Sequence, residues 1–160
     1  MRHTLSLLVE NKPGVLARIA GLFSARGYNI ASLAVSETLD PTVSYTTMVV
    51  EAEDERVLEQ IKKQLNKLID VITVTDFTKR EHIDRELILV KLNCPSKDKA
   101  KLENLLNKFV AKLIQHKLDT AIIEAVGDQE QIGQLFEALK PFGIKELIRT
   151  GRIALTEIGG

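Results

Sequence analysis

One cysteine, Cys94, stands in the 160 residues, so no disulfide can close within the chain. That usage fits a reducing compartment. Tryptophan is absent, and five phenylalanines and two tyrosines leave few rings for stacking on bases. Positive charge is not in excess either: 22 Lys and Arg balance 22 Asp and Glu, for a formal net charge of zero. A protein that grips phosphates carries a basic surplus or stripe, so no nucleic-acid partner is expected. No apolar run approaches the roughly 20 residues of a membrane span. At the N-terminus, MRHTLSLLVENKPG is closed too early by Glu10 and Pro13 to be a signal peptide. A cytoplasmic protein without membrane contact is the expectation.

The usual signatures of chemistry are missing as well. His3, His82 and His116 lie at no metal-ligand spacing, and neither HExxH nor CxxC occurs. Cys94 precedes Pro95 and has no neighbouring histidine, the setting of an incidental thiol. No GxSxG elbow surrounds Ser24, Ser32 or Ser44. Gly14, Gly21 and Gly27 form neither GxGxxG nor a phosphate-binding loop. Carboxylates alternate with lysines, as in LEQIKKQLNKL, which is how a solvated helix face reads. No catalytic set and no metal site is expected.

What the chain does have is 44% hydrophobic residues and no low-complexity tract, so it should fold throughout. Its length suits one ordinary domain or two small ones, and two half-length domains would lean on a partner chain. Residues 4–9 alternate as a strand with Leu5, Leu7 and Val9 on one face. Val15, Leu16, Ile19, Leu22 and Phe23 then make one helical stripe. Asn11 is a candidate N-cap for it, Pro13 suits a first turn, and Gly27 is a natural stop. Residues 30–36 and 43–51 read as strands joined by Leu39-Asp40-Pro41-Thr42. Val57, Leu58, Ile61, Leu65, Leu68 and Ile69 restore helical spacing after Asp54, and residues 71–77 close the unit as a strand.

The order βαββαβ predicts a four-stranded antiparallel sheet with both helices on one face, leaving the other face bare for a partner. Charged and aperiodic, residues 78–85 read as a linker between domains 1–77 and 86–160. The second half repeats the grammar: a strand over 86–93, helical spacing at Leu102, Leu105, Leu106 and Phe109, a strand over 120–126, a helix over 129–139 and extended chain over 144–149 and 152–156. Spacing leaves 110–117 open between helix and strand. The fold class is α+β, two tandem ferredoxin-like domains.

One stretch is unusual. Residues 10–35, ENKPGVLARIAGLFSARGYNIASLAV, put glycine and asparagine at both corners of a short helix. Asn11-Lys12-Pro13-Gly14 places free backbone N–H groups, at the positive end of that helix, beside a residue with no side chain. Such a place receives a carboxylate, and the amide of Asn29 can both donate and accept. Magnitudes limit this site. A helix end contributes about 0.3–2 kcal/mol to an anion and a buried valine-sized side chain about 1.5–3 kcal/mol, whereas micromolar affinity needs about 8 kcal/mol. A second chain would have to close the pocket.

NKPGVLARIAGLFSARGYNI, with DPTVSYTTMVV and LEQIKKQLNKLIDVITV after it, resembles the N-terminal ACT domain of the regulatory small subunits of acetohydroxyacid synthase, also called acetolactate synthase. In the second half, ELILVKL and VGDQEQIGQLFEALKPFGIKELIRTGRIAL resemble that subunit's C-terminal domain, so the likeness spans nearly the whole chain. It implies a non-catalytic partner of a large subunit that uses thiamine diphosphate, magnesium and FAD to join two pyruvates into 2-acetolactate, or pyruvate and 2-oxobutyrate into 2-aceto-2-hydroxybutyrate. It also implies activation of that subunit and feedback inhibition by valine, bound between the ACT domains of two chains. On this sequence the implied effector positions are Asn11, Gly14, Val15, Leu16, Asn29 and Ile30. The chain departs from the family pattern at Ala31, at Tyr45-Thr46 and at Ala154-Leu155-Thr156-Glu157. The alternative is a free-standing ACT-domain amino-acid sensor acting on a transcriptional or other regulatory partner.

Overall fold

Strand β1 (Arg2–Glu10) alternates as its residue types demand, and Leu5, Leu7 and Val9 turn into the core. The computed structural model, which describes residues 1–159, continues with α1 (Val15–Ala25), β2 (Ile30–Glu37), β3 (Val43–Glu51), α2 (Glu55–Asn66) and β4 (Val71–Asp76). These strands form an antiparallel sheet in the order β2-β3-β1-β4. Val15, Ile19 and Phe23 of α1 and Leu58, Ile61 and Leu65 of α2 share one core with Leu5, Leu7, Met48 and Val50.

Helix α1 ends in a full Schellman closure. Gly27 takes φ +68, its N–H donates to Ser24 O at 3.2 Å, and the Tyr28 N–H donates to Phe23 O at 3.0 Å. The rings of Phe23 and Tyr28 meet edge to face, 6.2 Å between centroids, sealing the same corner. Helix α2 stops at Asn66, so Leu68 and Ile69 fall outside it, and Ile69 is exposed. At its start Asp54 accepts hydrogen bonds from Arg56 N (2.8 Å) and Val57 N (3.0 Å). Asp54→Ala is expected to destabilise the chain by about 1 kcal/mol, read as a lower denaturation midpoint at unchanged m-value.

The second half holds β5 (His82–Asn93), α3 (Lys99–Leu106), β6 (Ala111–Lys117), β7 (Thr120–Gly127), α4 (Gln129–Leu139), β8 (Ile144–Arg149) and β9 (Ile153–Thr156). Its sheet runs β6-β7-β5-β8, and Ile88, Val90 and Leu92 pack with Leu102, Ile132 and Leu135. Segment 111–117 is thus a strand. It turns back through Leu118 (φ 51) and Asp119 (φ 59), a two-residue hairpin connection with both residues left-handed. Asp128 caps α4 with a capping box: Gln131 N donates to Asp128 Oδ1 (2.8 Å) and Asp128 N to Gln131 Oε1 (2.9 Å).

Two compact units divide the chain otherwise than at 77/78 and 85/86. One comprises Met1–Ile83 together with the segment from Arg152 onward, the other Asp84–Gly151. Residues 82–85, read as linker from their charge, already belong to β5. The C-terminal segment, expected with the second domain, lies against the first sheet: Arg152 N donates to Ser32 Oγ (3.1 Å), Arg152 Nη1 to Thr4 Oγ1 (3.0 Å) and Tyr45 Oη to Ala154 O (3.0 Å). The register sets Thr4, Ser6, Thr47 and Val49 on the face away from the helices, and all four are buried. That face is therefore not bare. Tyr45 and Ala154 meet each other there.

Candidate functional site

Lys12-Pro13-Gly14-Val15 forms the turn that launches α1. Val15 N donates to Lys12 O at 3.3 Å, and Gly14 has φ +85 and ψ −9, with proline before it, as a type II turn requires. The helix begins one residue later, and Gly14, not Asn11, is its N-cap position, with no side-chain cap. Asn11 does other work: its Nδ2 donates to Pro41 O and its N–H to Thr42 O, both at 2.8 Å, tying this loop to the β2–β3 turn. That turn is itself held by Asp40, which accepts from Thr42 N and Thr42 Oγ1. The bonds from Thr42 hold the Asp40 carboxyl below its ordinary range.

Leu16 and Ala17 open the helix with N–H groups that have no acceptor one turn back. No side chain of residue 14 covers their positive end, and an added Cβ at Gly14 would come within 2.9 Å of Arg18 Nη1. Arg18 was not among the residues singled out in the sequence. Its guanidinium leans over Gly14 while Nε donates to Asp70 Oδ2 at 2.7 Å. Its place four residues after Gly14 on a helix was the available signal. Of the two apolar candidates here, Val15 is 4% exposed and locked in the core, so it offers backbone only, while Leu16 is 45% exposed.

Asn29 and Ile30 lie elsewhere. Asn29 O accepts from Glu51 N (3.1 Å) at the end of β3, whereas Asn11 accompanies the start of that strand at Thr42. Eight residue steps separate Val43 from Glu51, about 26 Å along an extended strand. Within one chain the six candidates thus split into two groups at opposite ends of the sheet: Asn11, Gly14, Val15 and Leu16 at one, Asn29 and Ile30 at the other.

The Asn29 end has its own chemistry. Asn29 Nδ2 donates to Glu51 Oε2 at 2.9 Å, and Arg2 reaches Glu51 Oε1 at 3.3 Å. The bond from Asn29, assisted by Arg2, holds the Glu51 carboxyl below the usual carboxylate range. Arg2, Arg26, Tyr28, Asn29, Glu51 and Val57 line a crevice of about 660 Å³ here. Among the described residues no group of three or more His, Cys, Asp or Glu is disposed to hold a metal ion, and no helix is long and apolar enough to cross a membrane.

Comparison with known proteins covers both halves. Residues 5–73 match the family described as the AHAS small subunit-like ACT domain, and residues 85–158 match the family described as the small subunit of acetolactate synthase. A probable acetolactate synthase small subunit of Archaeoglobus fulgidus is 44% identical over 155 residues, covering 97% of this chain and 96% of that one. The acetolactate synthase small subunit of Mycobacterium leprae is 44% identical over 154 residues, covering 96% and 90%. The crystal structure of the acetolactate synthase small subunit from Thermotoga maritima superimposes with a TM-score of 0.83 at 34% identity, over 98% of both chains.

Proposed function

This chain belongs to the family of acetolactate synthase small subunits, regulatory and non-catalytic, and from that premise we propose that it activates a thiamine-diphosphate-dependent catalytic subunit and confers inhibition by valine. The thiamine diphosphate, magnesium and FAD of the reaction belong, in this reading, to the catalytic subunit. What this chain contributes is a binding site made by two copies of itself.

The separation of the candidate residues carries this reading. A turn that exposes helix N–H groups around Gly14, and an exposed amide at Asn29, are each half of an amino-acid site, and they lie at opposite ends of one sheet. Strand β2 is an edge of that sheet. Pairing it antiparallel with β2 of a second copy brings the Asn29 end of one chain toward the Gly14 end of the other. The first-turn N–H groups, with Arg18 beside them, then receive the carboxylate. Asn11 and Asn29 face the polar head group, and Leu16 and Ile30 face the aliphatic side chain. Leucine and isoleucine differ from valine by one methylene, so discrimination of about 10–200-fold is expected.

Valine must favour one packing of the chains over another, or it shifts nothing. Coupling of about 1–3 kcal/mol is the usual scale. The test is reconstitution: the purified chain added to a purified acetolactate synthase large subunit should raise acetolactate formation, and valine should reverse the gain. A synthase indifferent to the added chain would refute the proposal.

A further inference from the structure

Asn29 has a partner that decides which way its amide faces. Glu51 accepts a hydrogen bond from Asn29 Nδ2 at 2.9 Å. An ionised carboxylate can only accept, so chemistry alone obliges the amide nitrogen to face Glu51 and the amide oxygen to face away. Asn29 Oδ1 accepts no hydrogen bond among the described residues, and Asn29 is exposed at the rim of the 660 Å³ crevice. We propose that Glu51 is a positioning residue that holds Asn29 as a hydrogen-bond acceptor, so that the effector site selects a ligand bearing an ammonium group over the corresponding 2-oxo acid. This rests on the reading of the site given above and adds the rule by which it recognises its ligand.

Glu51 does not serve as the ammonium's own counter-ion. Both of its oxygens are engaged, Oε2 by Asn29 and Oε1 by Arg2, and the Arg2 cation offsets its charge. A ligand meets the amide oxygen, whose lone pairs suit an N–H donor and repel the oxygen of a carbonyl. The distinction has chemical consequence. An amino acid and the oxo acid of the same skeleton share the carboxylate and the side chain, so the helix end at Gly14 and an apolar contact at Leu16 cannot separate them. Only the group on the α-carbon can.

Isothermal titration of the full-length chain with L-valine and with 2-oxoisovalerate tests the assignment. The unmodified chain is expected to prefer valine. In Glu51→Ala the amide turns freely and that preference should fall about tenfold or more, the value of one hydrogen bond to a charged group. Arg2→Ala removes the neighbouring charge and leaves the Glu51–Asn29 bond, so the preference should persist. Unchanged preference in Glu51→Ala, or an equal loss in Arg2→Ala, overturns the positioning role. Valine binding that survives both Asn29→Ala and Gly14→Asp, or is absent from the unmodified chain, overturns the underlying site itself.

Discussion

Gly14→Asp is expected to leave activation of the catalytic subunit intact while raising the valine concentration for half-inhibition by about 100-fold. Three effects combine at this position. The new carboxylate stands where the ligand's carboxylate is received, and two like charges about 4 Å apart repel by roughly 4 kcal/mol at an intermediate dielectric, less where water screens them. An aspartate side chain also offers the first-turn N–H groups of α1 an internal acceptor, in competition with the ligand. Finally, Arg18 Nη1 lies 2.9 Å from where the Cβ would be, so the guanidinium must move and can pair with the new acid instead of the ligand. The backbone at φ +85 adds a cost of about 1–2 kcal/mol for a residue with a Cβ, and aspartate is among the residues that bear it best. Thermal unfolding of the variant checks that this cost stays local. Full valine sensitivity in a folded variant would remove Gly14 from the site.

Much of this arrangement can be read in the residues beforehand, and its gaps have physical reasons. Periodicity marks β1, α1, α2 and β7 because each buries one clear apolar face, whereas β8 buries no side chain and reads as extended from its residue types alone. Segment 110–117 stayed open because its hairpin turns through Leu118-Asp119, and a leucine in the left-handed region carries none of the Asn-Gly signal that marks such turns. The role of Asn11 escaped because a cap and a loop tie call for the same side chain, and only the fold brings Pro41 within 2.8 Å. Arg152, Thr4 and Ser32 are joined across more than 100 residues of sequence, where no local pattern reaches. Spacing could name the glycine and asparagine corners of α1 as candidates. That they fall at opposite ends of the sheet, Asn11 beside Thr42 and Asn29 beside Glu51, needed the pairing with β3.

That separation makes the second large prediction, for Leu33→Asp/Val35→Asp on the edge strand β2. Leu33 is 37% and Val35 44% exposed, on the helix side of a strand with a neighbour on one side only. A two-fold axis near Ala34 would set Leu33 of one chain across from Val35 of the other, burying four aliphatic side chains. At about 1 kcal/mol for the remaining area of each, their loss weakens the dimer about 1,000-fold before the repulsion of four carboxylates is counted. Light scattering should therefore find a monomer with unchanged far-ultraviolet circular dichroism, and valine binding should disappear although no residue of the site has changed. A double variant that remains dimeric would place the interface away from β2. The complementary measurement mixes Gly14→Asp chains with Asn29→Ala chains at a valine concentration that fills the unmodified sites and leaves those of either variant alone largely empty. If each site takes its turn from one chain and its amide from the other, a mixed dimer rebuilds one intact site and concentrates both defects in its second. An equimolar, randomly exchanged mixture should then recover about a quarter of the sites, whereas a site contained in one chain would recover none.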